Sequence, residues 1–565
     1  MRPELLLAKI AWRVIGFEIK RGTLLKTIKK SFKVKTLFLA EGFFLCDLLE
    51  DAVQREPEKI FLYFYDEQFS YRQTDEKANR IGNKLLELGF GPGQGLAIMD
   101  FNSPRFLDFF FGAEKIGMFV VPVNVSLRGD QLKHIFTNSN CDVIMIHHSL
   151  YEHLAKIKEQ APNLKMVIVN DYDEPVSLPE KAISIRGFYD SKVSNERPKV
   201  KPRVGDLAVL MYTSGTTGLP KGVVYRQGDM LALLMRGMGL SIAKPNEIYY
   251  TCLPLFHANA LFVTTLSVLG GAGSLAMGKR FSASRFWDEV RRYNATTFNL
   301  LGAMIPILLK QPEKPNDKEH KIRRIITSSC PSELWEKFEQ RFGVEIWEAY
   351  GAVDGGGGII MNTGNAPKGS IGKPLGIKVK VVKDDGEEAK PREPGELCIY
   401  LGGKASGRRV EYYRDEKATE KKVRDGWLHT GDYVYRDAQG FFYFVGRDTE
   451  KVRKKGEMVS TYEVEQEILK HPAVQECAVY AVPAELGEDE IMVSLILVEG
   501  KKLEPLELIE FLKGRLAYFA IPRYVRVVDE LPKTETHRVV KKKLQELGVT
   551  PDTWDAEKAG VRLKP

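Results

Sequence analysis

The stretch LAVLMYTSGTTGLPKGVV, residues 207–224, sets hydroxyls, glycines and a lysine directly behind an apolar run: Thr213, Ser214, Gly215, Thr216, Thr217, Gly218, Lys221 and Gly222. Glycine lets a backbone turn sharply and approach an anion, while amides and hydroxyls donate to phosphate oxygens. This is the chemistry of a phosphate-holding loop. It is not a Walker A loop, because the Gly-Lys-Ser/Thr ending is missing. A second stretch, LPKTETHRVVKKKL at 531–544, holds five basic side chains in fourteen positions. A solvated face is the ordinary reading of such a run. The alternative is that one of the cations is delivered to a reacting phosphate. Two other stretches carry less. GFGPGQG at 89–95 follows a helix and precedes a strand, the reverse of the order that aims amides at phosphate, and reads as a turn. His147, His148 and His153 follow a strand at no ligand spacing and read as a surface loop.

Behind these stretches the apolar runs 60–65, 96–101, 119–123, 143–146, 166–169 and 207–212 alternate with longer helical segments. Such alternation predicts an α/β domain on a largely parallel sheet over residues 59–212. At 565 residues the chain exceeds one core and should form two to four units. Its six cysteines are scattered without a C-x-x-C, which argues against a disulfide framework or a zinc site and fits a reducing compartment.

Charge is concentrated at one end. Residues 1–35 hold ten Lys/Arg and two Glu, a net of +8 that equals the formal charge of the whole chain. The remainder is near neutral, which removes the electrostatic support for nucleic-acid binding. No apolar run there approaches the ~18 residues of a membrane span. The interspersed Leu6, Ile10, Phe17, Leu25, Ile28 and Phe32 fit an amphipathic basic helix, lying either on an anionic membrane surface or on the protein itself. A cytoplasmic protein, peripheral to the membrane if that helix binds it, is the expectation.

YTSGTTGLPKG resembles the signature of the adenylate-forming (AMP-binding) enzymes: acyl-CoA synthetases, luciferases and peptide-synthetase adenylation domains. The resemblance runs from about residue 45 to 545 through LPLFH (253–257), YGAVD (350–354), GSIGKP (369–374), GELCI (395–399), DGWLHTGD (425–432) and GRDTEKVRKKGEMVSTYEVE (446–465). RFSASRFWDEVRRYNAT (280–296), NVSLRGDQLKHIF (124–136) and KGEMVSTYEVE look like the fatty-acid transport protein/very-long-chain acyl-CoA synthetase branch. QPEKPND (311–317) and DAQGFFYF (437–444) are similar to carnitine/crotonobetaine-CoA ligases.

The resemblance implies an α/β fold with a large multi-sheet adenylation domain over 45–448 and a small mobile α/β domain over 449–545. Residues 1–44 would be a basic amphipathic segment that can contact a membrane, and 546–565 a tail. It also implies two reactions. A carboxylate, most simply a fatty acid, attacks the α-phosphate of ATP with Mg²⁺ present and expels pyrophosphate; CoA then takes the acyl group and releases AMP. Carried onto this chain, Thr213, Ser214, Gly215, Thr216, Thr217 and Gly218 would hold the β- and γ-phosphates, with Lys221 beside them. Tyr350 would stack on adenine within Glu348, Ala349, Tyr350 and Gly351, opposite Ser328, Ser329, Cys330 and Pro331. Asp432, acceptor-only, suits the two ribose hydroxyls, and Arg447 would reach ribose and phosphate. His257 and Gly302 would line the acyl site, Thr449 would be the hinge, and Lys455, Gly456 and Glu457 would meet CoA. Helices are expected near 462–470 and 505–516.

The family pattern YGxTE is YGAVD here, so Val353 removes a hydroxyl and Asp354 offers magnesium a shorter arm. His537 stands for the usual glycine, and Arg538 for the usual catalytic lysine. Arginine stays cationic and binds phosphate through two N–H groups, but it is not an equivalent replacement. Two alternatives to a CoA ligase follow: a weakly active membrane-associated lipid carrier or scaffold, and an adenylating protein with another acyl acceptor. The segments 258–273 and 299–308, expected to wall the acyl pocket, contain no charged residue. That favours an apolar acid over carnitine, whose ammonium group wants an acid or an aromatic cage.

Overall fold

The computed structural model describes residues 43–213, 219–402, 409–447, 451–454, 457–483, 489–534 and 539–561. The basic segment at 1–35 lies outside them, as do Ser214, Gly215, Thr216, Thr217, Gly218, Thr449, Lys455, Gly456, His537 and Arg538.

Runs that are apolar at every position become strands buried on both faces, the mark of a covered parallel sheet. Gly95–Met99 and Phe119–Pro122 are buried throughout. They lie in the middle of a seven-stranded sheet whose order is Ala182–Ser184, Met166–Asn170, Val143–His147, Gly95–Met99, Phe119–Pro122, Leu207–Tyr212 and Gly222–Arg226. All its pairings are parallel except the last, an antiparallel hairpin. The helix Pro104–Lys115 starts cleanly because Ser103 Oγ accepts from the Phe106 amide and proline occupies the first turn. Every residue of that helix is buried, and Lys115 is compensated by Glu50 at 2.7 Å and Asp75 at 2.8 Å.

The single parallel sheet expected over residues 59–212 is in fact split. Ile60–Phe64 leaves its neighbours and pairs in parallel with Ser274–Met277, inside a nine-stranded sheet. The reason is non-local: its two backbone edges are taken by the hairpin partner Glu67–Ser70 and by Ser274–Met277, and a local alternation pattern does not say which sheet a strand joins. A third, antiparallel sheet carries Val379–Val382, Gly395–Tyr400, Val423–Arg424, Trp427–Arg436 and Phe442–Arg447. Among the described residues one apolar core serves the two large sheets, and the antiparallel sheet has its own.

The small domain contains the helices Thr461–Ile468 and Pro505–Leu512 and a four-stranded sheet. Part of the expected tail belongs to that sheet. Trp554–Asp555 pairs with Tyr524–Val527, and Arg523 clamps Asp555 through two N–H groups at 3.0 Å. All six cysteines are free. No helix among the described residues is long and apolar enough to cross a membrane.

Three neighbouring parallel strands of the nine-stranded sheet, Thr297–Leu301, Arg324–Ser328 and Glu345–Tyr350, deliver Gly302, Ser329 and Gly351 just past their carboxyl ends, and Leu207–Tyr212 of the seven-stranded sheet delivers Thr213 past its own. In parallel α/β sheets that edge is where ligands bind.

Candidate active site

Tyr212 pairs with Gly222 across the hairpin, so the segment expected to hold phosphate starts and ends at a closed neck. The Thr213 amide donates to the Lys221 carbonyl at 3.0 Å, and the Lys221 amide donates to Thr213 Oγ1 at 3.3 Å. A segment almost two hundred residues later runs beside this hairpin. The Val224 amide donates to Glu411, the Tyr413 amide donates to Gly222, and Arg226 grips the Glu411 carboxylate at 2.6 and 3.1 Å. Tyr412 is thereby brought under Lys221, whose Nζ lies 5.2 Å from the ring centroid, within cation–π range. The Tyr412 hydroxyl donates to Asp354 Oδ2 at 2.5 Å. Lys422 Nζ lies 3.1 Å from the same oxygen and donates to the Thr430 carbonyl at 2.9 Å. Sequence reasoning missed Tyr412 and Lys422, since neither sits in a spacing that signals chemistry.

The strand ends at Ser328 and Tyr350 form the other wall. Ser328 Oγ donates to the Ala349 carbonyl at 2.8 Å. Glu348 is buried and accepts from the amides of Ser329 and Cys330, which holds the turn before Pro331. Ser329 takes a left-handed φ of 66°. Gly302 is required here: a Cβ on it would sit 1.8 Å from the Ser329 carbonyl oxygen. The residue expected at the acyl site thus has a packing role against the adenine-side turn.

Burial pushes the Glu348 carboxyl up to about 8 from its ordinary 4.5, and the two amides pull it back only in part. A folded-state value above the unfolded one means the folded protein holds an extra proton between those two values. Stability contributed by this group is therefore full below the unfolded value and falls as pH rises through the window, by at most about 1.4 kcal/mol per pH unit. Glu348→Gln cannot ionise. Its thermal midpoint plotted against pH should be flatter than the parent's between about pH 5 and 8. Parallel curves would assign the slope to other carboxyls.

Asp432 and Arg447 face each other across antiparallel strands, with Arg447 Nε 3.1 Å from Asp432 Oδ1. Tyr350 donates its hydroxyl to Asp432 Oδ2 at 2.6 Å. Burial raises the Asp432 carboxyl, and Arg447 works against that shift. Three residues expected to surround adenosine are thus one contact cluster. Its geometry is set from behind by Glu396, whose Oε1 accepts from the Gly431 amide at 2.9 Å and whose Oε2 lies 2.7 Å from His429 Nδ1. Cys398 Sγ is 3.5 Å from that nitrogen. Among the described residues this is the one group of three side chains with metal-ligand chemistry. Both Glu396 oxygens are engaged in hydrogen bonds and burial pushes the Cys398 thiol up to about 12, so the trio is a strut for the Thr430–Asp432 turn.

His257 heads a wide-turned helix, Asn259–Leu266, in which Thr265 Oγ1 reaches back five residues to the Ala260 carbonyl. Wide turns of this kind are frequent at functional sites. Asn299 ties that helix to the Thr297–Leu301 strand by donating to Asn259 at 2.7 Å and Thr264 at 2.8 Å. A small cavity next to Asp354 is lined by Val223, Tyr225, Leu231, Leu234, Val353 and Val410, with Asp229 and Arg409 also on its wall. The last two pair with each other at 3.3 Å.

The small domain meets this site through Ser460, which donates to the Val445 carbonyl at 2.7 Å, and through Tyr462 edge-on to Phe444. Glu457 opens the strand Glu457–Ser460 and pairs in register with Lys454. In the basic run, Lys533 pairs with Glu476 at 2.5 Å, and Lys541 pairs with Glu465 at 2.8 Å. Both cations are used within the small domain.

Residues 49–407 match the family of AMP-binding enzymes, and 463–538 match the AMP-binding enzyme C-terminal domain. The chain belongs to this family. This AMP-binding enzyme is 30% identical over 493 residues to a crotonobetaine/carnitine–CoA ligase of Shigella flexneri, covering 85% of its own length and 93% of the relative's. A Salmonella enteritidis crotonobetaine/carnitine–CoA ligase is likewise 30% identical, over 499 residues. Among solved structures, the anthranilate CoA ligase AuaEII with anthranoyl-AMP superposes with a TM-score of 0.82 at 24% identity, covering 90% of this chain and 98% of that one. A benzoate CoA ligase from Burkholderia xenovorans gives 0.78 at 22% identity, over 89% and 100%. The AMP-binding enzyme is therefore an adenylate-forming acid–thiol ligase, of a class that uses ATP, Mg²⁺ and CoA.

Proposed function

We propose that this ligase activates an apolar carboxylic acid, a fatty acid in the first instance, and transfers it to CoA through an acyl-adenylate. The observation that carries the nucleotide half is the Tyr350–Asp432–Arg447 cluster at the carboxyl edge of the strands. Asp432 offers acceptors to two ribose hydroxyls, and Arg447 shields its charge while facing the phosphates. Thr213 and Lys221 are bonded to each other at the base of the segment assigned to the β- and γ-phosphates. Mg²⁺ needs only one or two carboxylates beside phosphate oxygens and water, and the single Asp354 carboxylate meets that requirement. Bound with ATP there, Mg²⁺ would neutralise charge on the departing pyrophosphate. We assign Arg538 to the reacting carboxylate and α-phosphate, Thr449 to the hinge, and Lys455, Gly456 and Glu457 to CoA. Residues 1–35 would bring the enzyme to an anionic membrane surface.

The acid is argued from the segments 258–273 and 299–308, which contain no charged residue. The small cavity beside them adds no free acid: Asp229 is paired with Arg409 and accepts from the Arg226 amide at 3.0 Å, and Asp354 receives Tyr412 and Lys422. A quaternary ammonium group would find no uncompensated acid there. The likeness to crotonobetaine/carnitine–CoA ligases supports the second reading, a betaine substrate. A panel of acids assayed for CoA consumption separates the two. Fatty acids should exceed carnitine and crotonobetaine more than tenfold in kcat/KM, because burying an unpaired cation is costly. Equal or better turnover of the betaines would replace the first reading by the second.

A further inference from the structure

We propose that Lys422 is a nucleotide-contacting cation carried by the large domain and placed for the α-phosphate. The inference rests on the nucleotide site proposed above and adds a residue to it. Lys422 ends the helix Glu416–Lys422, which Asp415 caps by accepting from the Ala418 amide at 3.0 Å. The strand Val423–Arg424 that follows pairs with Trp427–Arg436, so both sides of the lysine are anchored. Its Nζ is 3.1 Å from Asp354 Oδ2 and 2.9 Å from the Thr430 carbonyl, and its side chain keeps 22% exposure. It is also near enough to Asp432 to favour that carboxylate's charged form.

The cation therefore stands between two carboxylates with different assignments, Asp432 for the ribose and Asp354 for the metal on the phosphates. In a nucleotide the link between those two ends is the 5′-oxygen and the α-phosphate. An ammonium group has three donors, and the two contacts use two of them. The Thr430 carbonyl holds Nζ in place whatever Asp354 does. Being on the large domain, Lys422 would stay with the α-phosphate in both reactions, whereas Arg538 belongs to the domain that turns.

AMP alone, without acid, CoA or metal, is the probe. Calorimetric titration of the full-length protein should show AMP binding weakened about tenfold or more in Lys422→Met, the scale of one charge-assisted hydrogen bond. Lys422→Arg should lie within about threefold of the parent, with thermal midpoints unchanged. Both adenylation and thiolysis of a supplied acyl-adenylate should slow in Lys422→Met. Asp432→Asn is the reference. If it weakens AMP binding while Lys422→Met does not, the role of Lys422 is overturned and the nucleotide site stands. If neither weakens it, the nucleotide site as drawn falls, and this inference with it. An equal loss in Lys422→Arg would assign the effect to packing and also overturn the proposal. Should Lys422→Met unfold, Lys422→Gln, which keeps a donor for Thr430, carries the same test.

Discussion

Arg538→Ala is expected to slow acid-dependent ATP–pyrophosphate exchange by about a hundredfold or more, the scale of losing one transition-state charge partner. Thiolysis of a preformed acyl-adenylate should survive. The asymmetry would follow from the proposed assignment of Arg538 to a domain that turns between the two steps, bringing the cation to the α-phosphate in one orientation only. The rest of the basic run makes the experiment specific. Lys533 and Lys541 are engaged by Glu476 and Glu465, so removing either would disturb the packing of the small domain. Lys542 and Lys543 are exposed, and Lys542→Ala is the matched control, with little change expected in either step. Recovery in Arg538→Lys would show that charge outweighs the planar fork of the guanidinium group. Exchange unaffected by Arg538→Ala would return the run to a solvated face.

Asp354→Ala should impair adenylation at least tenfold more than thiolysis, because only the first step expels charged pyrophosphate. Asp354 also receives Tyr412 and Lys422, so alanine removes their shared acceptor as well as the proposed metal ligand. Asp354→Asn separates the two roles. It keeps an oxygen for Tyr412 but loses the charge, and its adenylation defect should match that of alanine if the carboxylate holds magnesium. Restoration by asparagine would give Asp354 a hydrogen-bonding role instead. Equal loss in both half-reactions, with a lowered thermal midpoint, would indicate damage to the fold.

What the sequence determined by itself is what contiguous residues do. The strand Leu207–Tyr212 was legible because its apolar run is unbroken, and the consecutive glycines and hydroxyls behind it carry the phosphate assignment proposed above. The buried strands Gly95–Met99, Phe119–Pro122 and Val143–His147 were legible because unbroken apolar runs have few other places to go. The order of the motifs was enough to give the family. Tertiary structure decided which charges meet. Asp432 faces Arg447 only through strand register, and Tyr350 reaches the same carboxylate from another sheet. Glu348 was expected on the adenine wall, but that its carboxylate turns to the Ser329 and Cys330 amides was set by the neighbouring strand end. Tyr412 and Lys422 carry no local signal and meet Asp354 across 58 and 68 positions of chain. The physical reason is common to these cases. A carboxylate's partner is chosen by distances of about 3 Å in space, set by register and sheet order, and the local pattern of residue types records neither.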